Sequence, residues 1–239
     1  MRSALRWIAT VALFCLAGCG GSSTNEKPHS VVSGGAHEPG SVRPTAVGGE
    51  WHGTVPKVLN HRPSFTLVDT SGQSFDFAKE TAGHATLLFF GYTNCPNVCP
   101  TTMADIAAAK QLVSANVGSA LKVVFVTTDP KRDTEPVLRR WLNQFDSSFI
   151  GLTGSPEQLV AAQQAAGVPL AQAQQVPGGR YEVAHAAQVA AYGADDIERV
   201  LYFARTTVAD YAADLPRLVA TFGIQSPPAA YPDLSGRNQ

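Results

Sequence analysis

Two uninterrupted apolar runs of strand length, residues 85–90 (ATLLFF) and 122–128 (KVVFVTT), constrain the fold of this 239-residue chain more than any other feature. Runs with no polar alternation belong to strands covered on both faces, as in a parallel sheet flanked by helices. The spacing between them predicts a helix that starts near Cys99 and Pro100, with Met103, Ile106, Ala109 and Val113 as its buried stripe. Further helices are expected over residues 134–145, over 156–166 behind a Ser155 cap, and from about 208 to 222. Residues 65–68 and 74–77 flank the turn signal Ser71-Gly72 and read as a hairpin, and residues 187–192 and 199–203 read as strands around a turn at 193–196. A parallel βαβ unit followed by an antiparallel ββα unit is the layout of a thioredoxin-like three-layer α/β/α sandwich, here with an N-terminal hairpin addition. Other α/β sandwiches share the pattern.

Hydrophobic residues make up 44% of the chain, enough to bury a core, and the formal net charge is -1 with no basic stripe. That balance argues against a nucleic-acid partner, which needs a basic face. No apolar run reaches the roughly 18 residues of a membrane-spanning helix. The N-terminus does read as an export signal. Arg2 and Arg6 precede a short apolar run, and Leu16-Ala17-Gly18-Cys19 resembles the lipobox of bacterial lipoproteins. The resemblance implies cleavage after residue 18, lipidation of Cys19, and attachment to the outer face of the bacterial cytoplasmic membrane. Loss of Arg2 and Arg6 leaves 16 basic against 19 acidic residues, so the mature protein is mildly acidic. Residues 19–55 are rich in Gly, Ser and Pro and read as a flexible tether, residues 56–225 as the thioredoxin-like domain, and residues 226–239 as a polar tail.

Of four cysteines, Cys15 leaves with the signal and Cys19 is committed to lipid, so Cys95 and Cys99 alone keep usable thiols. They lie directly after a central strand and at the start of a helix, the end of an open α/β sheet where sites are built. Amide groups at a helix N-terminus favour an anion, so a thiol there ionises readily. A purely structural disulfide is the plain alternative. Its loop would be so small that it stabilises by only about 2 kcal/mol. Dithiol exchange and soft-metal binding therefore compete for the pair. Tetrahedral zinc would want more cysteines than remain. Copper suits the set, as Cu(I) through two thiolates or as Cu(II) through two thiolates and an imidazole.

Residues 90–102 (FGYTNCPNVCPTT) resemble the signature of the Sco/SenC family, proteins of cytochrome c oxidase assembly. Residues 127–134 (TTDPKRDT) and 149–155 (FIGLTGS) are similar to two further segments of that family, and the resemblance runs from about Pro63 to Leu218. It implies Cys95, Cys99 and His185 as copper ligands, with a dithiol that is also redox-active. The family pattern around the histidine carries Asp before it and a hydroxyl residue after it. Here those positions are Ala184 and Ala186, so two partners that would orient the ring are missing. Asp129 is expected near the site as an outer-sphere group, or else as a turn or capping residue. His52, His61 and His84 show no partner spacing and are assigned to the surface.

The implied function is an anchored assembly factor that delivers copper to the dinuclear site of a haem-copper oxidase subunit, with a thiol reductant as second partner. Its alternative is a thiol-disulfide reductase that keeps the recipient's cysteines reduced, a role that does not need His185. A peroxiredoxin-like peroxidase would carry a Pro and Thr upstream of the cysteine at another spacing, and a redox-silent binding lipoprotein would make the cysteine motif accidental.

Overall fold

A computed structural model describes residues 50–220. The signal segment, Cys19, most of the tether and the tail at 226–239 lie outside those residues. A seven-stranded mixed sheet organises the fold, in the order β2 (Ser74–Asp76), β1 (Thr66–Asp69), β5 (Ile150–Thr153), β4 (Leu121–Thr127), β3 (Ala85–Gly91), β8 (Val189–Tyr192), β9 (Glu198–Tyr202). Its centre is β3 (Ala85–Gly91) and β4 (Leu121–Thr127), parallel and joined through helix α2 (Val98–Leu112). All seven residues of β3 are buried, which is why its sequence shows no alternation.

Strand β5 (Ile150–Thr153) continues the sheet parallel to β4, and β1 (Thr66–Asp69) adds antiparallel to β5. Strand β2 (Ser74–Asp76) closes the expected hairpin. Phe77, read from the sequence as strand, instead begins the short helix α1 (Phe77–Thr81), because the Asp76 side chain accepts the Lys79 N–H and caps a turn there. On the other flank β8 (Val189–Tyr192) runs antiparallel to β3, and β9 (Glu198–Tyr202) antiparallel to β8.

Two cores fill the layers above and below the sheet. Met103, Ile106 and Ala109 of α2 pack with Leu138 and Leu142 of α4 (Glu135–Leu142) and Leu215 and Leu218 of α6 (Val208–Ala220). Leu159 and Ala162 of α5 (Pro156–Ala165) pack with Leu88, Phe90, Val124 and Val126 on the opposite face. This is the α/β sandwich that the alternation of elements predicts.

Four elements escape the sequence reading. Helix α1 and helix α3 (Ala115–Ala120) are short turns after stronger elements. Strands β6 (Gln172–Val176) and β7 (Arg180–Ala184) form a separate two-stranded sheet with most residues exposed. Val183 of β7 is buried and Tyr181 half-buried, but β6 (QAQQV) shows no period-two apolar pattern and the short RYEVA alternation of β7 stands without a partner pattern beside it. Only the turn is visible in the sequence, where Gly178 and Gly179 take φ of 90° and 73°, a conformation that favours glycine.

The tether also ends earlier than composition indicates. Thr54 forms a bridge to Leu201, Trp51 packs on the core and His52 bonds to helix α6, so residues 51–54 belong to the domain.

Candidate metal centre

The loop leaving β3 carries both cysteines to the functional end of the sheet. Thr128 N–H donates to the Gly91 carbonyl at 2.7 Å, which keeps β3 and β4 paired to their ends, and Cys95 N–H then turns back onto the Tyr92 carbonyl at 3.2 Å. Helix α2 begins at Val98, one residue before the expected start, and Asn97 at its cap makes no side-chain bond. The Cys95 sulfur takes that place by accepting the Cys99 N–H at 3.5 Å. A thiolate is the form best suited to accept from a helix N-terminus.

Cys99 is fully buried and Cys95 half-buried, both with free thiols. His185 follows β7 in the segment leading to β8, and its Nε2 lies 3.3 Å from Cys99 Sγ. One ligating atom from each of the three residues falls within a span of 4.8 Å, the one such cluster of three or more His, Cys, Asp or Glu among the described residues. The fold thus brings together residues 86 positions apart.

The ring's orientation has a source that side-chain comparison does not reveal. His185 Nδ1 donates to the Ala186 carbonyl at 2.9 Å, which fixes the tautomer and leaves Nε2 facing the sulfurs. A backbone carbonyl does the work that Ala184 and Ala186 have no side chains to do. The ring also meets Tyr92 edge-on at 5.5 Å between centroids and Phe89 at 6.1 Å.

The electrostatics divide the pair. A hydrogen bond from the Cys99 thiol, opposed by partial burial and helped by His185 and two backbone N–H groups, pulls the Cys95 thiol down to about 3. The same contact and burial push the Cys99 thiol up. Burial alone would lower the His185 ring, but donation to the Cys95 sulfur and to the Ala186 carbonyl outweighs it and raises the ring above its ordinary value. The metal-free centre therefore favours a thiolate at Cys95 and a thiol at Cys99. A metal bound by both sulfurs displaces the Cys99 proton. One consequence is measurable without metal: alkylation of Cys95 by iodoacetamide should stay nearly flat from about pH 8 to about pH 5, where an ordinary thiol with pKa about 8.5 slows roughly tenfold per unit. A slope of that size would contradict a stabilised thiolate.

Asp129, expected near the site or else as a turn or capping residue, lies in the turn after β4 with two side-chain partners. Its carboxylate takes a bond from Arg132 and one from the Tyr181 hydroxyl at 2.9 Å. Arg132 in turn stacks on Tyr181, 3.9 Å from the ring centroid, and lies 5.6 Å from that of Tyr92. Asp129 thus ties the β6-β7 hairpin to the loop after β4, and its partner Arg132 lies over Tyr92, which meets the His185 ring. His52, His61 and His84 are exposed as expected, but His52 is not partnerless: its Nδ1 lies 2.8 Å from the buried Asp214.

Sequence reasoning passes over Asp133 and Gly91. Asp133 is fully buried, with Oδ1 accepting from Thr93 Oγ1 at 2.6 Å and Oδ2 from the Thr93 N–H at 2.9 Å and Thr127 Oγ1 at 2.7 Å. A Cβ at Gly91 would stand 2.6 Å from Cys99 Sγ, closer than such atoms approach, so the sulfur occupies space that only glycine leaves open. Neither role has a local sequence signal, since the partners become neighbours only on folding.

Comparison with known proteins agrees with this geometry. A family model described as SCO1/SenC matches residues 55–220. A candidate copper-binding protein of Stutzerimonas stutzeri is 37% identical over 133 residues, 56% of this chain and 64% of that protein, so the match spans just under two thirds of that relative. Among solved structures, Bradyrhizobium japonicum ScoI with copper bound superposes with a TM-score of 0.60 at 29% identity, covering 67% of this chain and 100% of that one. The apo Sco1 protein of Thermus thermophilus superposes at 0.62 with 32% identity, covering 71% and 98%.

Proposed function

The chain belongs to the SCO1/SenC family, and from that premise we propose that it binds one copper ion through Cys95 Sγ, Cys99 Sγ and His185 Nε2. We take its role to be delivery of that copper to the dinuclear site of a haem-copper oxidase subunit. The observation that carries the reading is the convergence of two sulfurs and an oriented imidazole within 4.8 Å. Two thiolates satisfy Cu(I), and the added imidazole suits Cu(II). Burial differs usefully across the set. Cys99 is fully buried, whereas Cys95 and His185 are partly exposed, and Cys95 offers an incoming thiolate of the recipient a side from which to exchange ligands.

Anaerobic copper titration of the reduced full chain in detergent tests the reading. One copper should bind, and the Cu(II) form should show a thiolate-to-copper charge-transfer band. Cys95→Ser and Cys99→Ser should each shift and weaken the band, and the double variant should abolish it. His185→Ala should alter it and weaken binding. A His185→Ala protein with the wild-type band and affinity would remove the ring from the site and favour the dithiol-reductase role instead. Oxidation of Cys95 and Cys99 to a disulfide would remove both thiolates, so delivery also needs a thiol reductant on the same side of the membrane.

The place of action in this reading is the outer face of the cytoplasmic membrane, with Cys19 as the lipid anchor. Acyl chains contribute about 0.8 kcal/mol per buried methylene, enough for lasting attachment when two or more are present. Wild-type protein should fractionate with membranes and carry lipid mass on Cys19, whereas Cys19→Ala should be soluble or retain its signal segment. Identical fractionation and mature mass would refute the anchor.

A further inference from the structure

Asp129 and Asp133 lie four residues apart in the turn after β4, yet they serve different parts of the molecule. Asp129 faces Arg132 and Tyr181. Asp133 is bonded to the cysteine-bearing loop through Thr93, 40 positions away in the chain, and to the end of β4 through Thr127. Its three partners are all donors, one backbone N–H and two hydroxyls, so the carboxylate is held by every polar group it touches. Thr127 Oγ1 also accepts the Asp129 N–H at 3.0 Å, which completes the hydroxyl's bonding.

We infer that Asp133 is a positioning residue for the metal centre, acting through Thr93 to hold Cys95 Sγ in its ligating place. The inference rests on the copper reading above. Three facts carry it. Cys99 is set inside α2 and within the core, whereas Cys95 stands outside the helix and is only partly packed against that core. Cys95 precedes the helix, only two residues beyond Thr93, and the bonds on the Thr93 amide and hydroxyl are what join this stretch to β4. Between Thr93 and Cys95 the chain turns tightly onto the Tyr92 carbonyl, so a shift at Thr93 passes directly to the sulfur.

Side-chain chemistry supplies a clean test. In Asp133→Asn the amide NH2 can donate to the Thr93 hydroxyl, which then accepts, while the amide oxygen still takes the Thr93 N–H and the Thr127 hydroxyl. The geometry survives the loss of charge. In Asp133→Ala all three donors lose their acceptor. Thr93→Ala removes the hydroxyl bond alone at a half-buried position, and it provides a milder variant should Asp133→Ala not fold.

The measurements are copper affinity and the Cu(II) charge-transfer band of the full chain, together with amide hydrogen exchange of the metal-free protein at Thr93 and Cys95. Asp133→Ala should lose affinity on the order of 10- to 100-fold, the range for groups that orient metal ligands. Thr93→Ala should fall between it and the wild type, and Asp133→Asn should stay close to the wild type in affinity, band and exchange. A merely structural Asp133 would lower the denaturant midpoint of the alanine variant while the folded fraction bound copper as the wild type does, and that result would overturn the inference. Failure of Asp133→Asn to restore the band would overturn it too. Wild-type protein that binds no copper would defeat the metal reading instead, and exchange at Thr93 would still show whether Asp133 holds the loop.

Discussion

Gly91→Ala is expected to remove most of the metal affinity and to lower stability by about 1–3 kcal/mol, the usual cost of forcing a methyl group into a filled core. The added carbon would sit 2.6 Å from Cys99 Sγ and 3.0 Å from Phe125 Cε2. Neither neighbour has room to retreat. Cys99 is in the first turn of α2 with no exposed surface, and the Phe125 ring is wedged between Phe89 and Trp141. The sulfur must therefore move along α2 or the strand must bow, and either change opens the 3.3 Å contact with His185 Nε2. Copper affinity should fall on the order of 10- to 100-fold, as for loss of other groups that set ligand positions. Urea midpoints and copper competition on the same preparation check both halves. Wild-type affinity in Gly91→Ala would mean that the sulfur's position is not what the site depends on.

Arg62→Ala should destabilise the whole domain by about 3 kcal/mol, the upper end of the cost of leaving buried polar groups unsatisfied. All five guanidinium donors are used: Nε to Asp196, one terminal nitrogen to Thr81 and Thr86, and the other to the His84 and Gly193 carbonyls, at 2.7 to 2.9 Å. The side chain is 2% exposed, while that of Asp196 is 52% exposed. Water therefore re-solvates the orphaned carboxylate, and the cost comes from the buried Thr81 and Thr86 hydroxyls, left without a donor, and from one lost bond at each of the His84 and Gly193 carbonyls, which keep only Thr86 Oγ1 and the Asp196 N–H. Lysine should not rescue, because an ammonium has three donors and no planar fork. A denaturant midpoint shift worth less than about 1 kcal/mol, at unchanged slope, would show that the cluster relaxes around the loss.

These two residues mark the limit of what the sequence discloses. The central strands are legible because burial on both faces leaves a continuous apolar run, and α2 because Met103, Ile106 and Ala109 recur at helical spacing. The cysteine pair is legible for a local reason as well: its spacing and its place after a strand are properties of five consecutive residues. His185 is different. It stands in an Ala-rich stretch and is picked out by resemblance alone, since no rule of spacing links it to sulfurs 86 positions away. Asp133 and Arg62 gain their meaning from contacts 40 and 131 positions distant, which hydrophobic periodicity does not encode. The β6-β7 hairpin is hidden for the opposite reason, because it buries too little to leave a pattern.

The span between the cysteines and His185 also governs how a bound metal would be linked to folding. Cys95 and Cys99 remain four positions apart in any state of the chain, so a denatured molecule keeps two of the three donors close together. His185 joins them only after β3 and β8 have paired. Ligand binding raises stability only to the extent that the folded form binds better than the unfolded one. A soft monovalent ion content with two sulfurs would then raise the unfolding temperature little. An ion that draws on the imidazole would raise it more, and the difference between the two melting curves would measure the third donor's share.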